Sequence, residues 1–90
     1  MTRNKKFHIV RITNRGNIDF RQDPHQLLFG TKELWDIASD KLYKLRDIVQ
    51  KYIYDNELGS GNFVPPVVFY NNEPIGYFSY NCRFWRKKYD

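Results

Sequence analysis

Residues 31–55 read TKELWDIASDKLYKLRDIVQKYIYD, and this stretch decides the fold. Leu34, Ala38, Leu42, Leu45, Val49 and Tyr52 recur at steps of three and four, with Ile48 and Ile53 beside them. Apolar residues at that period line one side of an α-helix. Asp40 stands four residues before Lys44 and Asp47 four before Lys51, acid-then-base pairs that suit the wet side. The pattern fades at Asp55-Asn56 and stops at Gly59. The spacing predicts one long amphipathic helix beginning near Thr31, about 38 Å in length at 1.5 Å per residue. A bend at Ser39-Asp40 would fit it into so small a domain.

Working outward, residues 7–12 are rich in strand formers, and Asn14-Arg15-Gly16-Asn17 follows as a turn. Ile18-Asp19-Phe20-Arg21 then alternates apolar and charged, the mark of a half-buried strand. These form the expected first hairpin. Asp23-Pro24-His25-Gln26 reads as one helical turn capped by Asp23 and closed at Gly30. Beyond the helix, Gly59-Ser60-Gly61-Asn62 is a connector. Pro65-Pro66 extends the chain into a strand over residues 67–70, and Asn71-Asn72-Glu73-Pro74 turns it. A last strand is expected from Ile75 to about Trp85. The order ββαββ makes an α+β domain, with the helix laid across one face of an antiparallel sheet. Residues 1–90 read as one domain, with frayed ends at about 1–5 and 87–90.

With 41% apolar and 18% aromatic residues, the chain has the material for a core and is not of a disordered composition. Cys82 is the one cysteine, so no intramolecular disulfide exists, whereas small secreted domains are usually cross-linked. The basic start is followed by His8 and Arg11, which interrupt any signal-peptide apolar run. No stretch approaches the roughly 20 apolar residues that span a bilayer. Cytoplasmic residence and no membrane partner are the expectation. Abundant Phe, Tyr, Ile, Asn and Lys with a single alanine, Ala38, suggest AT-rich coding of a phage-like kind.

The net charge of +5 sits at the two ends. Arg3, Lys5, Lys6, Arg11, Arg15 and Arg21 face only Asp19 in the first 22 residues, while Arg83, Arg86, Lys87 and Lys88 face only Asp90 in the tail. In residues 31–57 five bases meet six acids. Along the last strand, Phe78, Tyr80, Cys82 and Phe84 alternate with Tyr77, Ser79, Asn81, Arg83 and Trp85. The first set is the more apolar and is assigned to the helix side. The second mixes π-faces, amides and guanidinium groups, as stacking recognition of single strands requires. Competing readings are that basic ends only keep the chain soluble, that Tyr77 and Trp85 pack on Phe7 and Ile9, or that the face forms a homodimer or other protein interface.

The catalytic vocabulary is thin. His8 and His25 lie in different elements without a ligand at metal spacing, and no zinc set, phosphate loop or nucleophile motif can be assembled. No metal, cofactor or enzyme activity is expected. The function expected is a basic binding module for nucleic acid, weak and sequence-tolerant, or for a nucleic-acid-bound or acidic protein. Its candidate contacts are Arg11, Arg15, Arg21, Tyr77, Asn81, Arg83, Trp85, Arg86, Lys87 and Lys88. The alternative is a protein-binding regulator, such as a phage-type inhibitor of a host enzyme or defence complex.

Overall fold

The computed structural model describes residues 7–86. The elements, in chain order, are β1 (Phe7–Asn14), β2 (Leu34–Ser39), α1 (Leu42–Asp55), β3 (Phe63–Val64), β4 (Val67–Tyr70), β5 (Glu73–Phe78) and β6 (Phe84–Arg86), with a 3-10 turn at Ile18–Phe20. All pairings are antiparallel, in the order β2-β1-β4-β5-β6, with β3 paired to the end of β1. The helix packs on one face of this sheet, in a small α+β domain of the ββαββ sense. Two strands precede the helix, and the strand material after it divides into four short pieces.

The central strand β1 has an unusual burial pattern. Ile9 and Ile12, three residues apart, are both fully buried, so Val10 and Arg11 both face outward. The partner strand does the same: Leu34 and Ile37 lean inward while Trp35 and Asp36 are exposed. Asp36 takes φ +56, a left-handed conformation that reverses the alternation at that point.

This reversal explains where the expected helix fails. Leu34 of the expected stripe turns inward together with Ile37, three residues on, because the strand is kinked, whereas Ala38 of that stripe is exposed. The helix therefore begins at Leu42 and has 14 residues, and the segment before it is β2. The break falls at Ser39-Asp40, where a bend is expected: Ser39 Oγ accepts the Lys41 N–H at 3.2 Å. The helix ends on Glu57 at φ +51, whose N–H donates to the Tyr54 carbonyl while the Leu58 N–H donates to the Ile53 carbonyl. That pair of bonds is a Schellman close, usually built on glycine. Of the two expected ion pairs, Lys44–Asp40 forms at 3.4 Å, whereas Lys51 meets Asp55 at 2.8 Å instead of Asp47.

Leu45, Val49 and Tyr52 of α1 pack with Ile9, Ile12, Leu58, Phe63, Val68 and Phe78 as the core. Residues 15–33 form one long connector. The expected second strand of the first hairpin is instead the 3-10 turn, with Ile18 and Phe20 exposed. The expected helical turn at Asp23 is a non-helical turn, although Asp23 Oδ1 does accept the His25 N–H at 2.8 Å. The connector is tied down by Asn14, which is buried. Its amide donates to the Tyr52 hydroxyl at 2.9 Å and to Thr31 Oγ1 at 3.1 Å, and its carbonyl oxygen accepts the Leu28 N–H at 2.9 Å. The Tyr52 hydroxyl donates to the Lys32 carbonyl at 2.5 Å. Among the described residues, no helix is long and apolar enough to cross a membrane.

Leu45 is fully buried in the middle of this core. Leu45→Ala is expected to cost about 2–5 kcal/mol in urea unfolding, and a change within error would mean the helix face is not packed as described. Burial also raises the Tyr52 phenol above its ordinary value of 10.0, partly opposed by the Asn14 hydrogen bond. A raised value in the folded state means that ionisation favours the unfolded chain. This contribution is complete below pH ~10 and is lost as pH climbs through the raised value. The urea midpoint should therefore fall on the alkaline side. Tyr52→Phe should start lower, having lost its hydrogen bonds, but decline less steeply; equal slopes would exonerate Tyr52.

Candidate nucleic-acid interface

The face of the sheet opposite the helix carries the aromatic surface. Val67, Tyr77 and Trp85 stand side by side across β4, β5 and β6. Val10 and Trp35 continue the surface onto β1 and β2, and all five are between 40 and 54% exposed. The two edge strands each carry a tryptophan under an arginine. The Arg11 guanidinium lies 5.4 Å from the Trp35 ring centre, and that of Arg83 lies 5.3 Å from the Trp85 ring centre. Such stacking is favourable by about 0.5–1 kcal/mol at an exposed site. Between them His8 pairs across the strands with Phe69, its Nε2 3.6 Å from Asp36 Oδ1.

Tyr77, Arg83 and Trp85 share this face as expected, but by a different route. Residues 75–85 are not one strand. The chain reverses over Ser79–Arg83, with the Cys82 N–H donating to the Ser79 carbonyl at 2.8 Å and the Ser79 N–H to the Arg83 carbonyl at 3.0 Å. Cys82 takes the left-handed position of this three-residue hairpin loop, at φ +63. Tyr77 and Trp85 thereby become direct cross-strand neighbours. Phe78 and Phe84 remain on the helix side, 5.7 Å apart edge-to-face. Tyr80 and Cys82 leave the expected inner strand face for the loop, where the Tyr80 hydroxyl donates to the Leu58 carbonyl at 2.9 Å. Burial raises the Cys82 thiol, against the opposing charge of Arg46.

Asn81, an expected contact, has a positioning part in this structure. Its Oδ1 accepts from the Ser79 hydroxyl and from the Arg83 N–H at 3.2 Å, and Ser79 Oγ in turn accepts the Trp85 Nε1–H at 3.1 Å. The loop thus fixes the indole. Arg86 pairs with Gly76 and follows Trp85 onto the alternate side of β6. Arg21 closes the 3-10 turn at φ +61, within the long connector. Lys87 and Lys88 lie outside the described residues. Phe7 and Ile9, expected as packing partners for Tyr77 and Trp85, stand on the helix side, where Phe7 stacks on Tyr70 at 4.8 Å between centres.

The other half of the surface was not among the expected contacts. Pro65 and Pro66 lack the N–H groups a strand pair needs, so the chain between β3 and β4 separates from β1 there. A groove of about 310 Å³ opens between them, lined by Val10, Arg11, Trp35, Pro65, Val67 and Phe69 among others. Trp35 stands three residues before Ala38 and seven before Leu42, so helical spacing gives no sign that it is exposed. A larger cleft of about 680 Å³ at the end of α1 is lined by Tyr54, Asp55, Glu57 and Tyr80; its acids oppose a polyanion. Among the described residues, no group of three His, Cys, Asp or Glu side chains is placed to hold a metal ion. No protein-family model, curated protein or solved structure matches this chain.

Gly76 holds the two halves of the β5–β6 pair close. A Cβ there would lie 2.2 Å from the Trp85 carbonyl oxygen and 2.7 Å from Phe84 Cζ. Gly76→Ala is expected to destabilise by about 1–3 kcal/mol and to change the tryptophan emission as β6 shifts, with the helical circular dichroism retained. Wild-type stability and emission would mean that β6 is not docked in this way.

Proposed function

We propose that the chain is a non-enzymatic binding module whose open sheet face takes single-stranded nucleic acid, free or carried by a protein complex, in the cytoplasm. The observation that carries this reading is the pair of arginine-stacked tryptophans at the two sheet edges, with Tyr77 between them on one uncovered face. Bases stack on such rings with about 1–3 kcal/mol each, in a sequence-tolerant way. The arginines beside them supply charge for phosphates, and the net charge of +5 favours a polyanion. A non-enzymatic reading suits Ser79 of the face, whose Oγ is already engaged by Asn81, the Arg83 carbonyl and the Trp85 indole N–H. The cytoplasmic placement rests on the lone cysteine.

A second reading, a protein-binding regulator of the inhibitor type, draws on the long connector. Ile18, Phe20, Leu27 and Phe29 are all exposed there, Phe29 completely. Connectors of this length are often functional, and exposed apolar patches often mark protein contacts.

Both tryptophans of the chain lie on the proposed face, so intrinsic fluorescence reports on it directly. Titration with oligothymidylate is expected to quench the emission, with log affinity falling linearly with log salt. Trp85→Ala should weaken binding by about 1–3 kcal/mol without altering that slope. Replacing Lys87 and Lys88 together by alanine should make the slope shallower by about one to two units. Sedimentation at the same concentrations separates these effects from a homodimer that hides the face. Absence of quenching at low salt would sink the reading and favour a protein partner, whose capture should then depend on Phe29.

A further inference from the structure

The Pro65-Pro66 groove is bounded on one side by Arg11. Past that side chain the surface dips into a second hollow of about 290 Å³, lined among others by Arg15, His25, Gln26 and Glu33. The two hollows share Arg11, Thr13 and Val64 as their common wall. The first hollow is apolar and aromatic, while the second, the polar half of the pair, is lined mainly by polar groups.

The polar half contains a carboxylate held in place. Glu33 is mostly sheltered, its side chain 23% exposed. Its Oε2 accepts the buried Thr13 hydroxyl at 2.6 Å and lies 3.6 Å from Arg11 Nη1. Among the described residues no donor meets Oε1. Such a group repels phosphate and accepts from a ligand that offers N–H. In the same hollow stands Arg15, whose backbone is fixed on both sides by Asn62: its N–H donates to the Asn62 carbonyl at 2.9 Å, and its carbonyl accepts Asn62 Nδ2–H at 2.9 Å. Among the described residues no carboxylate pairs with its guanidinium.

An acceptor and a forked donor facing one small hollow select among the bases. Guanine offers N1–H and an N2 amino group side by side to a carboxylate, and O6 and N7 as a pair of acceptors to a guanidinium. Adenine and cytosine set one amino donor beside a ring-nitrogen acceptor, which would face the carboxylate unfavourably. Thymine and uracil offer a single N–H between two carbonyls. Resting on the nucleic-acid reading of the open face, we infer that this hollow is a guanine-selective pocket, with Glu33 on the N1/N2 edge and Arg15 on O6 and N7. The sheet face then supplies sequence-tolerant stacking, and the pocket adds a preference at one position.

The test is fluorescence anisotropy of end-labelled oligothymidylate against the same strand with one central deoxyguanosine. The guanosine strand is expected to bind about tenfold tighter. Deoxyinosine, which lacks the N2 amino group, and 7-deazaguanosine, which lacks N7, should each lose part of that gain on the unaltered protein. Glu33→Gln should abolish the preference while the all-thymidine strand binds at least as tightly as before, since a charge that repels phosphate and pairs with Arg11 is removed and Thr13 can still donate to the side-chain oxygen. If both strands bind with equal affinity, the pocket is wrong and the stacking face stands. If neither strand binds at low salt, the face fails, and the pocket fails with it.

Discussion

The burial of Ile9 and Ile12 on the same side of β1 is the constraint on which the rest of the structure depends. A regular strand cannot place residues three apart on one face. The chain meets the demand by turning Val10 and Arg11 outward together, and β2 follows with Asp36 in a left-handed conformation. Such a residue costs on the order of 1–3 kcal/mol. Burying each isoleucine is worth about 1.5–3 kcal/mol, and the inward lean of Leu34 and Ile37 adds to that. Packing therefore wins over local backbone preference. The same kink lies opposite Pro65-Pro66, where neither strand offers a regular ladder. The irregularity of the sheet and the groove on its outer face have one origin.

A second dependence runs through Asn14. It is the last residue of β1, and its side chain reaches the helix through Tyr52 and the connector through Leu28 and Thr31. A buried amide with all its hydrogen-bonding groups satisfied orders a segment that has little apolar packing of its own. Asn62 acts similarly from the other side, bonding the Arg15 carbonyl and Gln22 Oε1. These two asparagines let a long connector keep one path while leaving Ile18, Phe20 and Phe29 in solvent. The walls of the polar hollow, Arg15 and Glu33 included, stand at the two ends of that connector.

What the sequence reveals follows from which signals are local. The turn at Asn71 and Asn72 is legible because both residues take positive φ, at 50° and 71°, where asparagine is tolerated. Helix residues 42–55 are legible because their stripe is unbroken. Residues 34–39 are misread because a kinked strand imitates helical spacing, and the difference lies in a tertiary pairing with β1. Ile18 and Phe20 are misread because alternation signals a strand only when one side has something to pack on. The grouping of Tyr77, Arg83 and Trp85 is legible by parity alone. An even separation puts residues 77, 83 and 85 on one face of a single strand. A hairpin whose register pairs residues 77 and 85 keeps that face, so the grouping survives the error in path. Trp35, Glu33 and the Pro65-Pro66 groove join the site through a non-local pairing that no spacing reports.

The outer face presents a physical problem that its arginines address. Half-exposed indole, phenol and valine groups on a sheet whose edge strands among the described residues are β2 and β6 invite association with other sheets. Here β2 is kinked at Asp36, and each edge tryptophan is partly covered by a guanidinium. A twisted edge discourages strand addition, while a stacked arginine keeps water and charge at the aromatic surface. The same arrangement shapes what can bind. A purely apolar partner would have to displace the arginines and strand their charge, which is expensive in a desolvated interface. A partner with flat rings and anionic groups can stack beside the arginine and answer its charge in the same contact. The features that keep the face from self-pairing thus favour a charged, planar ligand over an apolar one.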